Sequence, residues 1–318
     1  MRLPEYMSPS SLKCFEDDQD EYYLRYLAEN RPARTPQTQP MSVGSAFDAY
    51  AKSYIHYALF GHYGEDNQYE FHTIFEEQVE EHRRDWAYEH GKICFDTYKT
   101  SGALASMMME LKTAVGEPRF EFSIRGLIRG EAGTVPLLGK PDIFFTNDKG
   151  ARVILDWKVN GYCSSASPTA GYIQLLGKTH KNHGMCHSKC VPEIHKGIQI
   201  NGAYPLEHFS SLWAGQLATY AWLLGEQVGS EQLISGIDQI TKSGKGHLII
   251  TRHRAIISSQ HQFELLGRYC YAWDCITGGH FFKGKTHLES LDYCKFLDKK
   301  AKALCGDDPF SRFVSQNR

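Results

Sequence analysis

Nothing in this 318-residue sequence is apolar for long enough to cross a membrane, and the N-terminal stretch MRLPEYMSPSSLKCF has no apolar signal core. An excess of basic charge is also missing. The 35 Lys and Arg residues stand against 37 Asp and Glu, for a net charge of -2, so the molecule as a whole does not advertise a polyanionic partner. A chain that grips a polyanion locally, through one basic groove and bound divalent cations, can still be neutral overall. The nine cysteines lack the spacing of a disulfide scaffold, which points to a reducing cytoplasm. No GxxxxGK[ST] loop, internal repeat or low-complexity run occurs, which argues against a motor ATPase and a solenoid. What is present is 42% hydrophobic and 13% aromatic content, enough for a sizeable core. One domain is expected over residues 1–318: a mostly helical part at 1–118, a sheet core at 119–258 and a helical end at 259–318.

The segment MSPSSLKCFEDDQDEYYLRYLAE opens with a serine cap and Pro9 at the first helical position, predicting one helix or two short ones. From Val43, Phe47, Tyr50, Tyr54 and Tyr57 recur at spacings of three and four, which predicts an amphipathic helix. Residues 69–115 read as helical throughout, the run Met107–Met109 serving as core filling. FEFSIRGLI, VPLLGKPDIFF and RVILDWKV then read as three strands of an antiparallel meander. An irregular segment over 160–209 follows, then the apolar helix SLWAGQLATYAWLLGEQ, two strands around a glycine-rich turn, and a helix stopped by Gly278 and Gly279.

The apolar runs PDIFF and RVILDWKV each carry an acid. Asp142 interrupts PDIFF, while Asp156 and Lys158 stand on one face of RVILDWKV with Trp157 on the other. A tight turn over 146–151 brings these strands together, so two carboxylates and an ammonium converge. Paired carboxylates are costly in a core unless a hard cation with oxygen ligands neutralises them. Beside such a cation a lysine orients water or stabilises charge developing on a phosphate. The competing reading makes Asp142 a strand cap and Asp156 with Lys158 a solvent-facing ion pair.

The arrangement PD142…D156WK158 resembles the PD-(D/E)xK nuclease superfamily. Further pieces resemble its branch of RecB-like nuclease domains and phage exonucleases: the segment Ser8 to Leu27, the helix start Gly44 to Asp48, and QLATY, Gln216 to Tyr220. The resemblance implies an α/β fold with a restriction-endonuclease-like αβββαβ core, a central mixed sheet flanked by helices. It implies Mg2+ or Mn2+ bound by Asp142, Asp156 and the Trp157 backbone carbonyl, with Lys158 assisting the water nucleophile. Where the branch has a histidine, this chain has Asp48, a harder ligand that suits the same cations; the alternative is an ordinary exposed helical acid. Gln216 and Tyr220 lie four apart on one helix face and are expected at the catalytic centre, or else are helix packing. Glu121 is a further candidate carboxylate.

Within the 160–209 insertion, the piece LLGKTHKNHGMCHSKCVPEIHKG carries Lys178, Lys181, Lys189 and Lys196 against one acid, Glu193. Emerging after the catalytic strand, it is expected to contact phosphates through Lys178, Lys181 and Lys189. His180, His183, Cys186, His187, Cys190 and His195 are bunched rather than set in two separated pairs, so a basic loop is the reading and structural zinc the alternative. Cys14, Cys270, Cys275, Cys294 and Cys305 lack cluster spacing, and no iron-sulfur cluster is expected. Arg252 and Arg254 share a strand face and are expected to flank DNA, the alternative being an edge strand protected by charge.

These readings lead to a metal-dependent deoxyribonuclease, an exonuclease rather than a site-specific endonuclease, acting in phage DNA recombination or processing in the host cytoplasm. DNA is the expected partner, along with a recombination or single-strand-binding protein. The rivals are a catalytically silent DNA-binding or assembly protein on the same fold, and a metal-dependent hydrolase of small phosphoesters.

Overall fold

Ser8 starts the first helix by reciprocal capping: its Oγ accepts from the Ser11 N–H at 3.2 Å, and its own N–H donates to Ser11 Oγ at 2.7 Å. Pro9 is the first residue of that helix, α1 (Pro9–Asp17). The computed structural model describes residues 2–130, 133–159, 162, 193–195, 198–205, 211–242, 248–279 and 282–305. After α1 come α2 (Gln19–Tyr22) and a π-helical turn (Tyr23–Leu27), so the first segment is helical in short pieces.

Helix α3 (Gln39–Phe60) begins before the point where the sequence suggested it, with proline in its first turn. Its aromatic stripe is only partly core. Phe47 is fully buried while Tyr54 and Tyr57 are exposed, and the buried line runs Val43, Phe47, Ala51, Ile55. That line faces the sheet, and a second buried side, including Ala46 and Ala49, meets other helices. The expected continuous helix over 69–115 is three: α4 (Phe71–Gln78), α5 (Arg84–Thr100) and α6 (Ala103–Lys112). Gly102, at φ 87°, separates the last two.

Among the described residues the main sheet has seven strands. In chain order they are β1 (Arg119–Phe120), β4 (Ile143–Thr146), β5 (Arg152–Val159), β6 (Glu193–His195), β7 (Ile198–Pro205), β8 (Leu233–Lys242) and β9 (Leu248–Ile256), in the spatial order β1-β4-β5-β8-β9-β7-β6. The sheet is mixed, because β5 runs parallel to β8 and β7 parallel to β9, while the other pairings are antiparallel. The expected three-stranded meander is split. Strands β2 (Ile124–Gly130) and β3 (Gly133–Gly139) form a separate two-stranded hairpin. Lys140, Pro141 and Asp142 then break VPLLGKPDIFF before β4, because proline has no N–H to give a ladder and restricts the residue before it. The 160–209 segment is not wholly irregular either, since β6 and β7 lie within it and extend the sheet beyond β9.

Alternation along β5 gives each face of the sheet its own core. Val153, Leu155 and Trp157 pack with Val43, Phe47, Tyr98 and Met107 of α3, α5 and α6. Ile154 joins the opposite cluster, with Leu217 and Tyr220 of α7 (Ser211–Leu223) and Leu265 and Tyr269 of α8 (Ser259–Gly278). The last helix, α9 (His287–Cys305), adds Leu297 and Ala301 to that cluster. Helices flanking a mixed sheet are thus the observed architecture.

Between β4 and β5, Asn147 builds the turn. Its Oδ1 accepts from the Lys149 N–H at 3.0 Å and the Ala151 N–H at 2.8 Å, and Gly150 takes the left-handed φ of 81°. On α5, Gly91 marks a close approach to α3: a Cβ built there would stand 2.4 Å from the Ala46 Cβ and 3.0 Å from the Ala46 carbonyl carbon.

Candidate active site

The turn sets the register that assembles the site. β4 pairs with β5 as Phe144↔Ile154 and Ile143↔Leu155, so one step further Asp142 stands opposite Asp156. Asp142 Oδ2 accepts the Trp157 backbone N–H at 2.8 Å. On the same face as Asp156, the Lys158 ammonium donates to Asp156 Oδ2. Asp156 is 3% exposed, so this is no solvent-facing ion pair.

Burial, and next the charge of Asp156, push the Asp142 carboxyl well above the ordinary carboxylate range, against the pull of Lys52 and Lys158. Burial pulls Lys158 down, but Asp156 and Asp142 outweigh it and hold it above the usual lysine range. The ammonium form of Lys158 is thus the favoured one here, which suits it to stabilising negative charge.

Tyr220, on α7, is 5% exposed. Burial and then the charges of Asp156 and Asp142 keep its hydroxyl protonated, and its side chain is hydrogen-bonded to Gln216. The helix thus brings both expected residues to the carboxylate face.

From the other side of the sheet comes a cluster that joins two expected acids, Asp48 and Glu121, to a lysine that the sequence did not suggest. The Lys52 ammonium, on α3, lies 2.5 Å from Asp48 Oδ2 and 2.8 Å from Glu121 Oε2. Gln78 Nε2 also donates to Glu121 Oε2, at 3.2 Å. Asp48 is thus a partner of a buried lysine, not an ordinary exposed acid, and burial raises its pKa against the opposing pull of Lys52. Glu121 sits at φ 42°, a left-handed conformation unusual for a residue with a side chain. Its N–H donates to the Asp142 carbonyl at 3.2 Å. Backbone held this way costs on the order of 1–3 kcal/mol and concentrates at functional sites. The available signal was the Asp48–Lys52 spacing of four within an otherwise apolar helical run.

The donor set suits a hard divalent cation. Among the described residues only Oδ2 of Asp142 and of Asp156 is hydrogen-bonded, which leaves each carboxylate an oxygen to offer. No His, Cys, Asp or Glu trio among the described residues is drawn together as a ready-made metal cluster; the acids are spaced by the two lysines instead.

Arg252 requires a correction. It is 5% exposed, and its guanidinium is spent on Asp238 at 3.1 Å, Ser106 Oγ at 2.8 Å and the Ala103 carbonyl at 3.3 Å. β9 is an inner strand between β8 and β7, so Arg252 is a buried structural residue and does not flank DNA. Tyr98 donates to Asp238 Oδ2 at 2.6 Å, and Trp157 Nε1 donates to the Tyr98 hydroxyl at 3.4 Å, which ties the buried Trp157 face of β5 to this network. Lys178, Lys181, Lys189 and the zinc candidates from His180 to Cys190 lie outside the described residues, as do the side chains of His195 and Arg254.

A family model described as the PD-(D/E)XK nuclease superfamily matches residues 6–176. The chain belongs to this superfamily. Its sequence matches no curated protein. Among solved structures, one described as a "Putative exonuclease" from Eubacterium rectale is similar at 15% identity and a TM-score of 0.47, covering 87% of this chain and 82% of the other. The protein SSO0001 is similar at 12% identity and a TM-score of 0.27, covering 67% of this chain and 79% of that one. Among the described residues of this superfamily member, no helix is long and apolar enough to cross a membrane.

Proposed function

We propose that this nuclease-superfamily chain is a Mg2+- or Mn2+-dependent deoxyribonuclease that hydrolyses phosphodiester bonds from DNA ends. The observation that carries the reading is the register placing Asp142 opposite Asp156, with Lys158 on the same face. Asp142, Asp156 and the Trp157 carbonyl would hold the divalent cation, with Asp48, bonded to Lys52, beside them. Bound there, the cation supplies Lewis acidity to the attacking water and offsets charge on the phosphate. Lys158, kept charged by its two carboxylate neighbours, orients the water and stabilises negative charge developing on the phosphoryl oxygens. Tyr220, kept protonated, donates to the phosphate backbone, and Gln216 positions it. Digestion from ends follows from the resemblance of Ser8–Leu27 and Gly44–Asp48 to the RecB-like and phage exonuclease branch, as does a role in phage recombination or processing alongside a single-strand-binding protein. Lys178, Lys181, Lys189 and Arg254 are the proposed phosphate contacts.

The test uses end-labelled linear and closed circular DNA, single and double stranded, with Mg2+, Mn2+ or EDTA, and compares the wild type with Asp156→Ala and Lys158→Ala. Metal-dependent loss of linear DNA, abolished by both substitutions and sparing circles, is the expected result. Binding without cleavage under every metal condition would replace this reading with the silent DNA-binding protein.

A further inference from the structure

Four carboxylates and two ammonium groups meet at this centre. Asp142 and Asp156 belong to the β4–β5 pair, whereas Asp48 and Glu121 arrive from α3 and from the residue after β1. Lys158 is bonded to Asp156, and Lys52 bridges Asp48 and Glu121. Lys52 is 1% exposed. An ammonium that deep is tolerated only when carboxylates surround it.

The geometry around Lys52 is that of a cation site with the cation supplied by the chain. Two carboxylate oxygens from distant parts of the sequence converge on Nζ, 2.5 and 2.8 Å away. Glu121 reaches it from a left-handed backbone conformation, and Gln78 fixes the same glutamate oxygen. Converging carboxylates, one of them fixed by a neighbouring amide, are also how a metal ligand set is built. Counted as charges, the four acids exceed the two lysines by two, which one divalent cation neutralises. A second ion would leave the buried centre with a net charge of plus two, which desolvation penalises.

We propose that Lys52 is a tethered counter-cation that fills the Asp48–Glu121 side of the centre, so that the centre takes one divalent ion, at Asp142 and Asp156, and not two. The proposal rests on the metal-centre reading above and adds its stoichiometry and the residue that sets it. Lys52 is a positioning residue: it holds Asp48 and Glu121 in place and leaves them no charge with which to recruit a second ion.

The experiment counts Mn2+ bound to the full chain by electron paramagnetic resonance, with calorimetry for affinity and circular dichroism for folding. The wild type is expected to bind one ion tightly, and Lys52→Gln to bind two. Glu121→Gln is expected to keep one ion at an affinity within about threefold of wild type, since Glu121 serves the lysine, and the double variant Lys52→Gln with Glu121→Gln is expected to return to one. Two ions on the wild type, one ion on a folded Lys52→Gln, or loss of the ion in Glu121→Gln would each overturn the proposal while leaving the nuclease centre standing. If Lys52→Gln does not fold, the wild-type count and the Glu121→Gln affinity decide. No ion on the wild type would instead remove the metal centre itself, and the proposal with it.

Discussion

Asp142 and Trp157 are joined by a 2.8 Å hydrogen bond from the tryptophan backbone to Oδ2 of the carboxylate. The bond aims an acid that precedes β4 at the strand carrying Asp156, and it occupies one oxygen so that the other is left for a cation. An asparagine at 142 can keep the bond through its carbonyl oxygen but offers no charge. If the cation contributes several kcal/mol of charge stabilisation, Asp142→Asn lowers the cleavage rate by on the order of 10^3-fold or more, with the fold intact by circular dichroism. Single-turnover cleavage of end-labelled duplex DNA measures this, and a rate within tenfold of wild type would remove Asp142 from the centre.

Arg252 and Asp238 form a buried pair under α6, and breaking it leaves an uncompensated carboxylate. Arg252→Met is expected to cost about 3–5 kcal/mol in urea unfolding. The affinity of its folded fraction for DNA in EDTA should match the wild type, because the guanidinium does not reach the surface. A selective loss of DNA affinity at unchanged stability would restore the phosphate-contact role.

Gly91→Ala tests the crossing of α3 and α5. The new methyl would meet Ala46 at 2.4 Å and the Ala46 backbone at 3.0 Å, so the helices must separate. A loss of about 1–3 kcal/mol follows from overpacking. Because α3 carries Asp48 and Lys52, cleavage should fall beyond what the unfolded fraction explains. Wild-type stability together with wild-type cleavage would contradict the close approach.

His56, on α3, is 5% exposed, stacked on Tyr69 at 4.1 Å between ring centroids, and its Nδ1 donates to the His62 carbonyl at 2.8 Å. Burial lowers its pKa, and the hydrogen bond to the His62 carbonyl only partly opposes this. The folded chain thus takes up this proton less readily than the unfolded one, whose histidine titrates near about 6.5. The contribution is present above that pH and is lost as pH falls through it toward the depressed folded value. Wild-type urea midpoints should drop between pH 7.5 and pH 5 by more than those of His56→Gln. Equal drops in the two proteins would assign the pH dependence to other groups.

The pair Asp142 and Asp156 was legible in the sequence because the acids in PDIFF and RVILDWKV came with further motifs in an order that resembles the PD-(D/E)xK superfamily, and strand alternation aligned Lys158 with Asp156. Gln216 and Tyr220 were singled out by the resemblance of QLATY to the family's helix, and helical spacing put them on one face. Lys52 was not, since a lysine four residues after an aspartate on a helix ordinarily reads as a solvated ion pair; only the packing of α3 against the sheet and α5 buries it. Glu121 was named as a candidate carboxylate, but the left-handed backbone that carries it to Lys52 is not encoded in composition. Arg252 was misread for a topological reason. Its face could be deduced, but that β9 lies inside the sheet depends on β7, which pairs with it from the insertion. The break at Pro141 was written in the chain and was outweighed by the apolar residues on either side.

The β4–β5 turn has a consequence for how this protein can vary over evolutionary time. Asn147 and Gly150 fix its length, and its length fixes the register. One residue gained or lost there would slip the pairing by one and rotate Asp156 and Lys158 to the face now held by Trp157, dismantling the centre without changing a single one of its residues. The hairpin of β2 and β3 belongs to a different sheet and imposes no such constraint. Insertions and deletions among descendants of this gene should therefore collect around residues 130–133 and be purged from 147–151, so the turn is inherited as strictly as the carboxylates it aligns.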